Sequence, residues 1–362
     1  MRACPVHNPR MPILPANDPV FLACFWVALV TAVCMAADIL LLLLLPRLRL
    51  SFGSPGLPAL MFAAGRLLPD AALVLLLTRT HFVAFFAVPA LAGLACLLQV
   101  ILTLLAAYGL YIEPFRLSVT ELHLPAAQFY PDRALRILQI SDLHVERLTS
   151  REREVIRQAA ALRPDLIVLT GDYLNLDYNT DPLAIRDART VFASLHAPLG
   201  VYAIQGTFPV DQPETMHTLF DGLAIRVLDG KAVELALPLA GLSVLGVAVG
   251  AGDAELLKRS AAALAPDSYK LLLYHTPDLI HSACAAGMDL YLAGHTHAGQ
   301  IRLPFFGAIV TASRYWKRYE AGRYRVGKTT LYVSRGIGME GSHMPRIRFL
   351  APPELVLIHL GV

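Results

Sequence analysis

The chain has 362 residues, 56% of them hydrophobic and only 16% charged, where an ordinary globular domain carries about 25% charged residues. That composition excludes a disordered chain, and a net charge of +3 gives no ground for a general affinity for nucleic acid. The shortage of charge is local. Residues 1–112 hold six Arg, no Lys and three acids (Asp18, Asp38, Asp70), whereas residues 113–362 hold 25 basic and 25 acidic residues. The sequence therefore describes two objects, an apolar N-terminal third and a polar remainder long enough for one large domain.

Residues 20–45 are apolar except for Thr31 and Asp38, which exceeds the roughly 20 residues needed to cross a bilayer core. Pro46, Arg47 and Arg49 close this run. A second run covers about 57–78 and contains Arg66 and Asp70; a third covers about 81–112 and contains Pro89. The third reads either as one long tilted helix or as two spans broken near Pro89 and Gly93. Residues 1–112 are thus expected to cross a membrane three or four times, and the later runs argue against a cleaved leader. Asp38, Arg66 and Asp70 are expected near helix ends, reaching toward headgroups, with pairing inside the bundle as the alternative. Arg2 and Arg10 balance Arg47 and Arg49 across the first run, so flanking charge gives no orientation. The cysteines give a weak one: Cys4, Cys24, Cys34, Cys96 and Cys284 form no CxxC pair, and only Cys284 lies in the polar region. With no disulfide available there, a cytoplasmic placement is expected.

Pro114, Pro125 and Pro131 mark 113–133 as a link to a domain over 134–362. That domain reads as alternating elements. An apolar strand over 135–140 ends in Ser141-Asp142-Leu143-His144. A helix over 150–162 opens with a Ser cap and acids in its first turn. A strand over 165–169 ends in Thr170-Gly171-Asp172. A helix (185–196), a strand (201–205) and a helix (213–221) follow, then strands at 225–229, 231–237 and 242–249. A helix over 253–264 precedes a strand ending in His275, a helix over 277–286, and a strand over 288–293 ending in Gly294. Beyond 301 the pattern is β-rich. This order points to a mixed α/β sandwich with its polar residues just after the C-terminal ends of strands, where open α/β sheets place their sites.

Those strand ends deliver Asp142, His144, Asp172, His275, His295 and His297. Carboxylates mixed with imidazoles suit Mn, Fe or Zn better than the all-oxygen shells of Mg or Ca. Asp142 and His144 are two apart, as are His295 and His297, so each pair can reach one ion from an extended turn. His196, His217, His281 and His359 lack such company and read as ordinary core or surface histidines.

Asp142-x-His144, Gly171-Asp172, His275 and Gly294-His295-Thr296-His297 resemble the signature of the calcineurin-like metallophosphoesterases. The stretch from Gly294 to Pro304, with Tyr332-Val-Ser-Arg-Gly336 and Pro352-Pro-Glu354, resembles the branch of membrane-associated YkuE-like phosphohydrolases. The resemblance covers about residues 134–360. It implies a four-layer αββα sandwich preceded by a transmembrane helical anchor, and two divalent metal ions (Mn, Fe or Zn). It assigns one ion to Asp142, His144, Asp172 and His297, and the other to Asp172, His275 and His295. The implied activity is hydrolysis of a phosphoester or pyrophosphate by a metal-activated water.

One motif departs from the family. Where the family has Gly-Asn-His, this chain has Gly206-Thr207-Phe208. Thr207 offers a weak hydroxyl ligand, so the second metal site is expected to be weak or empty, and Phe208 cannot transfer a proton. Loss of such assistance typically costs about 10²- to 10⁴-fold, with Asp211 and His217 as candidate replacements. Two readings stay open: a membrane-anchored phosphohydrolase, and a catalytically impaired relative acting as a binding or regulatory membrane protein.

Between Arg302 and Arg348 ten basic residues face only Glu320 and Glu340, with Tyr315, Trp316 and Tyr319 interleaved. This reads either as a solvated face or as a wall attracting an anionic substrate or leaflet. Arg302 and Arg335 are candidate phosphate contacts, with an ion pair to a surface carboxylate as the alternative for each; Arg302 and Asp172 are the candidate catalytic residues, and Tyr173 is either a cleft residue or a packing one. The expected partners are a phosphorylated small molecule or phospholipid-type substrate and the lipid bilayer, with no nucleic acid.

Overall fold

A computed structural model describes residues 19–79, 87–126, 129–340 and 345–361. Arg2, Cys4 and Arg10 lie outside the described residues, as does the start of the third apolar run. The chain forms two compact units, the first built from residues up to 43 and 55–107, the second from 44–54 and 108 onward.

The first unit is made by helices α1 (Pro19–Arg47), α2 (Gly56–Arg79) and α3 (Ala87–Tyr111). Each is long and apolar enough to cross a membrane. The third run is one helix among the described residues, with Pro89 in its first turn, where the missing N–H costs nothing. The intramembrane charges do not reach for the helix ends. Arg66 grips Asp38 with Nε–Oδ2 at 2.6 Å and Nη2–Oδ1 at 2.9 Å, and donates to the Gln99 carbonyl at 2.7 Å and to Thr103 Oγ1 at 2.5 Å. Gln99 Nε2 donates to Asp70 Oδ1 at 2.8 Å, and Thr31 to Asp70 Oδ2 at 2.7 Å. Pairing wins over snorkelling because Asp38 and Arg66 are both buried among the helices, where an unmatched charge is costly.

The second unit holds two six-stranded sheets. Strands β1 (Ser118–Leu124), β2 (Leu135–Ile140), β3 (Leu166–Leu169), β4 (Val201–Ala203) and β5 (Ile225–Val227) belong to the first. β6 (Lys231–Ala236), β7 (Gly241–Gly246), β8 (Tyr269–Leu273) and β9 (Leu290–Ala293) belong to the second. β10 (Arg302–Leu303) and β11 (Gly307–Ala308) form a separate hairpin; β12 (Gly322–Val326) and β13 (Thr329–Val333) complete the second sheet and β14 (Glu354–Leu360) the first. The orders are β1-β14-β2-β3-β4-β5 and β12-β13-β9-β8-β7-β6. β2 to β5 run parallel, as do β7, β8, β9 and β13.

Helices α4 (Ser150–Leu162), α5 (Pro182–Ala193) and α6 (Pro213–Phe220) cover the first sheet, and α7 (Asp253–Ala262) and α8 (Ile280–Ala285) the second. Inner-face residues such as Ile137, Val168, Val244, Leu271 and Leu292 pack between the sheets. The result is the four-layer αββα arrangement. Because both faces of the parallel strands are covered, β3 is buried at every position, and its sequence is continuously apolar instead of alternating. Thr149 and Glu152 form a capping box that starts α4, and Asp181 caps α5 through the Leu183 and Ala184 N–H groups.

The stretch 113–133, expected as a link, contains β1. Its pairing with β14 is invisible locally, because Ser118 and Pro353 are 235 positions apart.

Candidate metal centre

The site is assembled where adjacent parallel strands of the two sheets end. β2, β3 and β4 deliver Asp142, Asp172 and Thr207; β8 and β9 deliver His275, His295 and His297. His144 Nε2 lies 3.1 Å from His297 Nε2 and 3.7 Å from Asp172 Oδ2. His297 Nε2 is 3.4 Å from Asp142 Oδ1, and His275 Nε2 is 3.1 Å from Asp172 Oδ2. All six residues expected as ligands therefore converge. Asp142, His144 and His297 form one group of potential donors, and Asp172, His275 and His295 another.

The backbone is bent to achieve this. Asp142, His144, Asp172, His295 and His297 all have positive φ, between 41° and 70°, a conformation costing about 1 kcal/mol or more per non-glycine residue. Each strand must turn sharply at its end to aim a side chain back into the gap between sheets. Gly294 permits the closest approach: a Cβ there would lie 2.1 Å from Asp142 Oδ2. Asp142 Oδ1 instead accepts the His295 N–H at 2.9 Å, and its Oδ2 the Ser141 hydroxyl at 2.5 Å.

The donor chemistry fits a cation. His275 Nδ1 lies 2.7 Å from the Thr170 carbonyl, so Nδ1 carries the proton and donates. The buried Nε2 faces Asp172 Oδ2 at 3.1 Å. A lone pair and a carboxylate at that distance demand a positive charge between them. In the protein alone a proton serves: burial opposes it, but Asp172 outweighs burial and lifts the His275 pKa to about 10. The other groups are poised as ligands. Burial, then His144 and Arg348, hold His297 well below the usual imidazole range, and burial with His275 lowers His295. Asp172 is lowered despite its burial by His275 and His144.

Thr207 sits at this group's edge. Its N–H donates to Asp172 Oδ1 at 2.7 Å, and its hydroxyl is 3.3 Å from Asp172 Oδ2 and 3.5 Å from His295 Nδ1. Phe208 is exposed. Neither suggested replacement for the missing His faces the cleft. Asp211 is fully buried beneath the loop, accepting the N–H groups of Asp172, Tyr173 and Gly206 at 2.7, 3.1 and 2.9 Å. Burial and the neighbouring Asp172 push its pKa up to about 7. His217 lines a separate depression with Gln205, Met216 and Phe220.

The cleft above the cluster encloses about 360 Å³ and is lined by Asp172, Thr207, Val210, His295, His297, Gln300, Val310, Thr311, Ala312 and Glu340, among others. Glu340, whose Oε2 is 3.8 Å from His144 Nδ1, carries no motif and was unreadable as a site residue. Arg302 and Arg335 do not line the cleft. Arg302 pairs with Glu320 Oε1 at 2.9 Å, and Arg335 with Glu354 at 3.2 Å and the Pro352 carbonyl at 3.1 Å. Tyr173 is packed in the core, its hydroxyl donating to the Ile204 carbonyl at 2.6 Å and its ring against Phe192 and Phe220.

The basic flank is not a uniform wall either. Arg346 is buried against Glu146 and Asp177. Arg348, fully buried with no carboxylate partner, donates to the carbonyls of Gly338, Ala351 and Arg335, with Nη2 3.3 Å from His297 Nδ1. Burial, reinforced by Arg151, lowers its pKa to about 9.

Residues 135–299 match the calcineurin-like phosphoesterase family. The chain is 31% identical over 272 residues to the uncharacterized metallophosphoesterase YkuE of Bacillus subtilis, covering 70% of this chain and 88% of that one. This chain belongs to the calcineurin-like metallophosphoesterases. It is also 31% identical over 245 residues to the phosphodiesterase YaeI of Escherichia coli, covering 64% of this chain and 85% of the relative. A third relative, the UDP-2,3-diacylglucosamine pyrophosphatase LpxG of Chlamydia trachomatis, is 28% identical over 305 residues, covering 68% and 90%.

Proposed function

We propose that this metallophosphoesterase is a membrane-tethered phosphohydrolase acting on a phosphoester or pyrophosphate, with a lipid-linked substrate as the best fit. The observation that carries the reading is the buried Nε2 of His275 aimed at Asp172 Oδ2, 3.1 Å away. Asp142, His144, Asp172 and His297 would hold one divalent ion, and Asp172, His275 and His295 a second, with the Thr207 hydroxyl beside it. Mn, Fe or Zn suits the mixed imidazole and carboxylate set. When bound, such a pair supplies positive charge for the phosphoryl oxygens and acidifies a water at neutral pH.

The chain's own residues do the rest. The Thr170 carbonyl fixes the His275 ring through Nδ1, and Thr207 N–H and the Asp211 scaffold fix the Asp172 carboxylate. Burial keeps His295 and His297 in the neutral form that can donate a lone pair. With no imidazole at 208 to protonate a leaving oxygen, substrates whose leaving group is already a weak base, such as pyrophosphates, suffer least. The pyrophosphatase named among the relatives acts on a diacylated nucleotide sugar, and three apolar helices hold this domain to a bilayer, which supports a lipid-linked substrate. The single cysteine of the polar region supports a cytoplasmic placement.

The absent imidazole favours a second reading, a metal-binding protein without turnover. Full-length protein in detergent, with Mn, Fe and Zn quantified and a bis-aryl phosphodiester and a nucleotide pyrophosphate as substrates, separates the two. The hydrolase reading expects two ions per chain and turnover lost in Asp172→Asn. Activity equal to that of Asp172→Asn on both substrates overturns it.

A further inference from the structure

Exposed apolar side chains are unevenly spread in the polar region. Of ten large ones beyond residue 112 among the described residues, six fall between 303 and 316: Leu303, Phe305, Phe306, Ile309, Val310 and Trp316. They belong to the β10–β11 hairpin and the loop after it. Phe305 stands at the tip of the three-residue turn, fully in solvent, with φ of 63°. Glycine or asparagine would take that conformation at less cost. An aromatic ring held there, touching nothing, is spent on something outside the domain.

The hairpin is a built projection, not a loose loop. Glu320 accepts from Arg302 Nη2 at 2.9 Å and from the Ala308 N–H at 3.0 Å, clamping its base. Its charges share one sign: residues 302–319 contain four basic residues and no acid. Lys317 donates to the Phe306 carbonyl and holds its ammonium 3.3 Å from the centre of the Phe306 ring. Apolar rings flanked by cations match an anionic bilayer surface, which takes rings at the acyl boundary and ammonium groups at headgroup level. The element is also continuous with the cleft. Val310, Thr311 and Ala312 line it, and the Ala312 carbonyl is 3.2 Å from His295 Nε2.

We infer that the β10–β11 hairpin and its following loop dip into an anionic membrane surface and bring the mouth of the metal cleft to the headgroups. This deepens the lipid-linked reading above and rests on it for its purpose, although membrane contact can be measured without any substrate. Arg302, on this account, is a positioning residue that holds the hairpin.

The chain has two tryptophans, so full-length Trp26→Phe leaves Trp316 as the reporter. The protein is reconstituted in vesicles of phosphatidylglycerol with either ordinary or dibrominated phosphatidylcholine. Trp316 emission is expected to be quenched severalfold by the brominated lipid, and the added pair Phe305→Ser and Phe306→Ser, both solvent-exposed, is expected to abolish most of that quenching. Emission that is unquenched in the parent overturns the inference, whether red-shifted in water or blue-shifted against a second copy. Hydrolysis of the bis-aryl phosphodiester and of the nucleotide pyrophosphate is followed in parallel. Quenching without turnover retains the hairpin and removes the hydrolase reading; turnover without quenching does the reverse.

Discussion

The backbone N–H of Thr207 donates to Asp172 Oδ1 at 2.7 Å while its hydroxyl lies 3.3 Å from Oδ2 of the same carboxylate. One residue thus both positions the Asp172 carboxylate and places its own hydroxyl beside the same donor group.

These two roles separate by mutation. Thr207→Val keeps the backbone hydrogen bond and loses the hydroxyl, and should weaken the second ion about tenfold, within the range seen for neighbours of metal ligands. Thr207→Asn supplies a better oxygen and should tighten it. Metal titration of the full-length protein reads both; identical second-site affinity in all three forms would exclude the hydroxyl as a ligand.

Asp211 accepts hydrogen bonds from three backbone N–H groups, those of the buried residues Asp172, Tyr173 and Gly206, which lose this partner if its carboxylate is removed. Asp211→Ala should cost about 3 kcal/mol or more, a fall in Tm of roughly 6–12 °C for a domain of this size. Metal loading should recover only part of it. An unchanged Tm would show that the loop is held by other contacts.

The metal-free and metal-loaded forms should respond oppositely to pH. His275 has a folded pKa of about 10, above the imidazole value of about 6.5. Its stabilisation is therefore complete below about pH 6.5 and disappears as pH rises through about 10. Asp211, raised to about 7, acts in the same direction but over a lower window, its penalty growing from about pH 4 and being complete just above pH 7. Metal uptake must displace the His275 proton, so affinity rises over the His275 window. Thermal melts between pH 6.5 and 10 should show the apo Tm falling and the metal-induced increment growing; parallel curves would refute the assignment of His275.

Two arginine pairs should differ sharply in worth. Arg346 is buried, paired with Glu146 and Asp177. Arg346→Met leaves Glu146 buried without its partner and should cost about 3–5 kcal/mol. Arg157, paired with Glu154 on the open face of α4, should be replaceable by Ala with no measurable change in Tm. Melting of the two variants side by side checks the contrast.

Much of the sandwich could be read from local pattern. Residues 135–140 and 150–162 appear as a strand and a helix with the expected bounds, because apolar runs and helix-start chemistry are encoded within a few residues, although the cap is Thr149 and the expected Ser150 is the first helical residue. The six ligand-type residues were legible because each closes a strand. What escaped depends on distant partners. β1 is a strand only because β14 lies beside it. Glu340 approaches His144 from a stretch with no periodicity. Arg346 and Arg348 look like surface cations until the fold encloses them, and the carboxylate at the side of Arg302 is identified as Glu320 only by the fold. In the apolar third, sequence offered no way to choose between a snorkelling Arg66 and one that finds Asp38, since only helix packing decides it.

The pairing of β1 with β14 also sets an order in time. β1 leaves the ribosome directly after the apolar helices, yet the strand it pairs with follows about 235 residues later. At synthesis rates of about 5–20 residues per second the interval is on the order of tens of seconds. Throughout it the nascent domain carries an open strand edge, and β2 likewise lacks its antiparallel neighbour. The first sheet can close only once β14 has been made, so a chain interrupted between His297 and Glu354 carries every ligand-type residue with its central sheet unsealed.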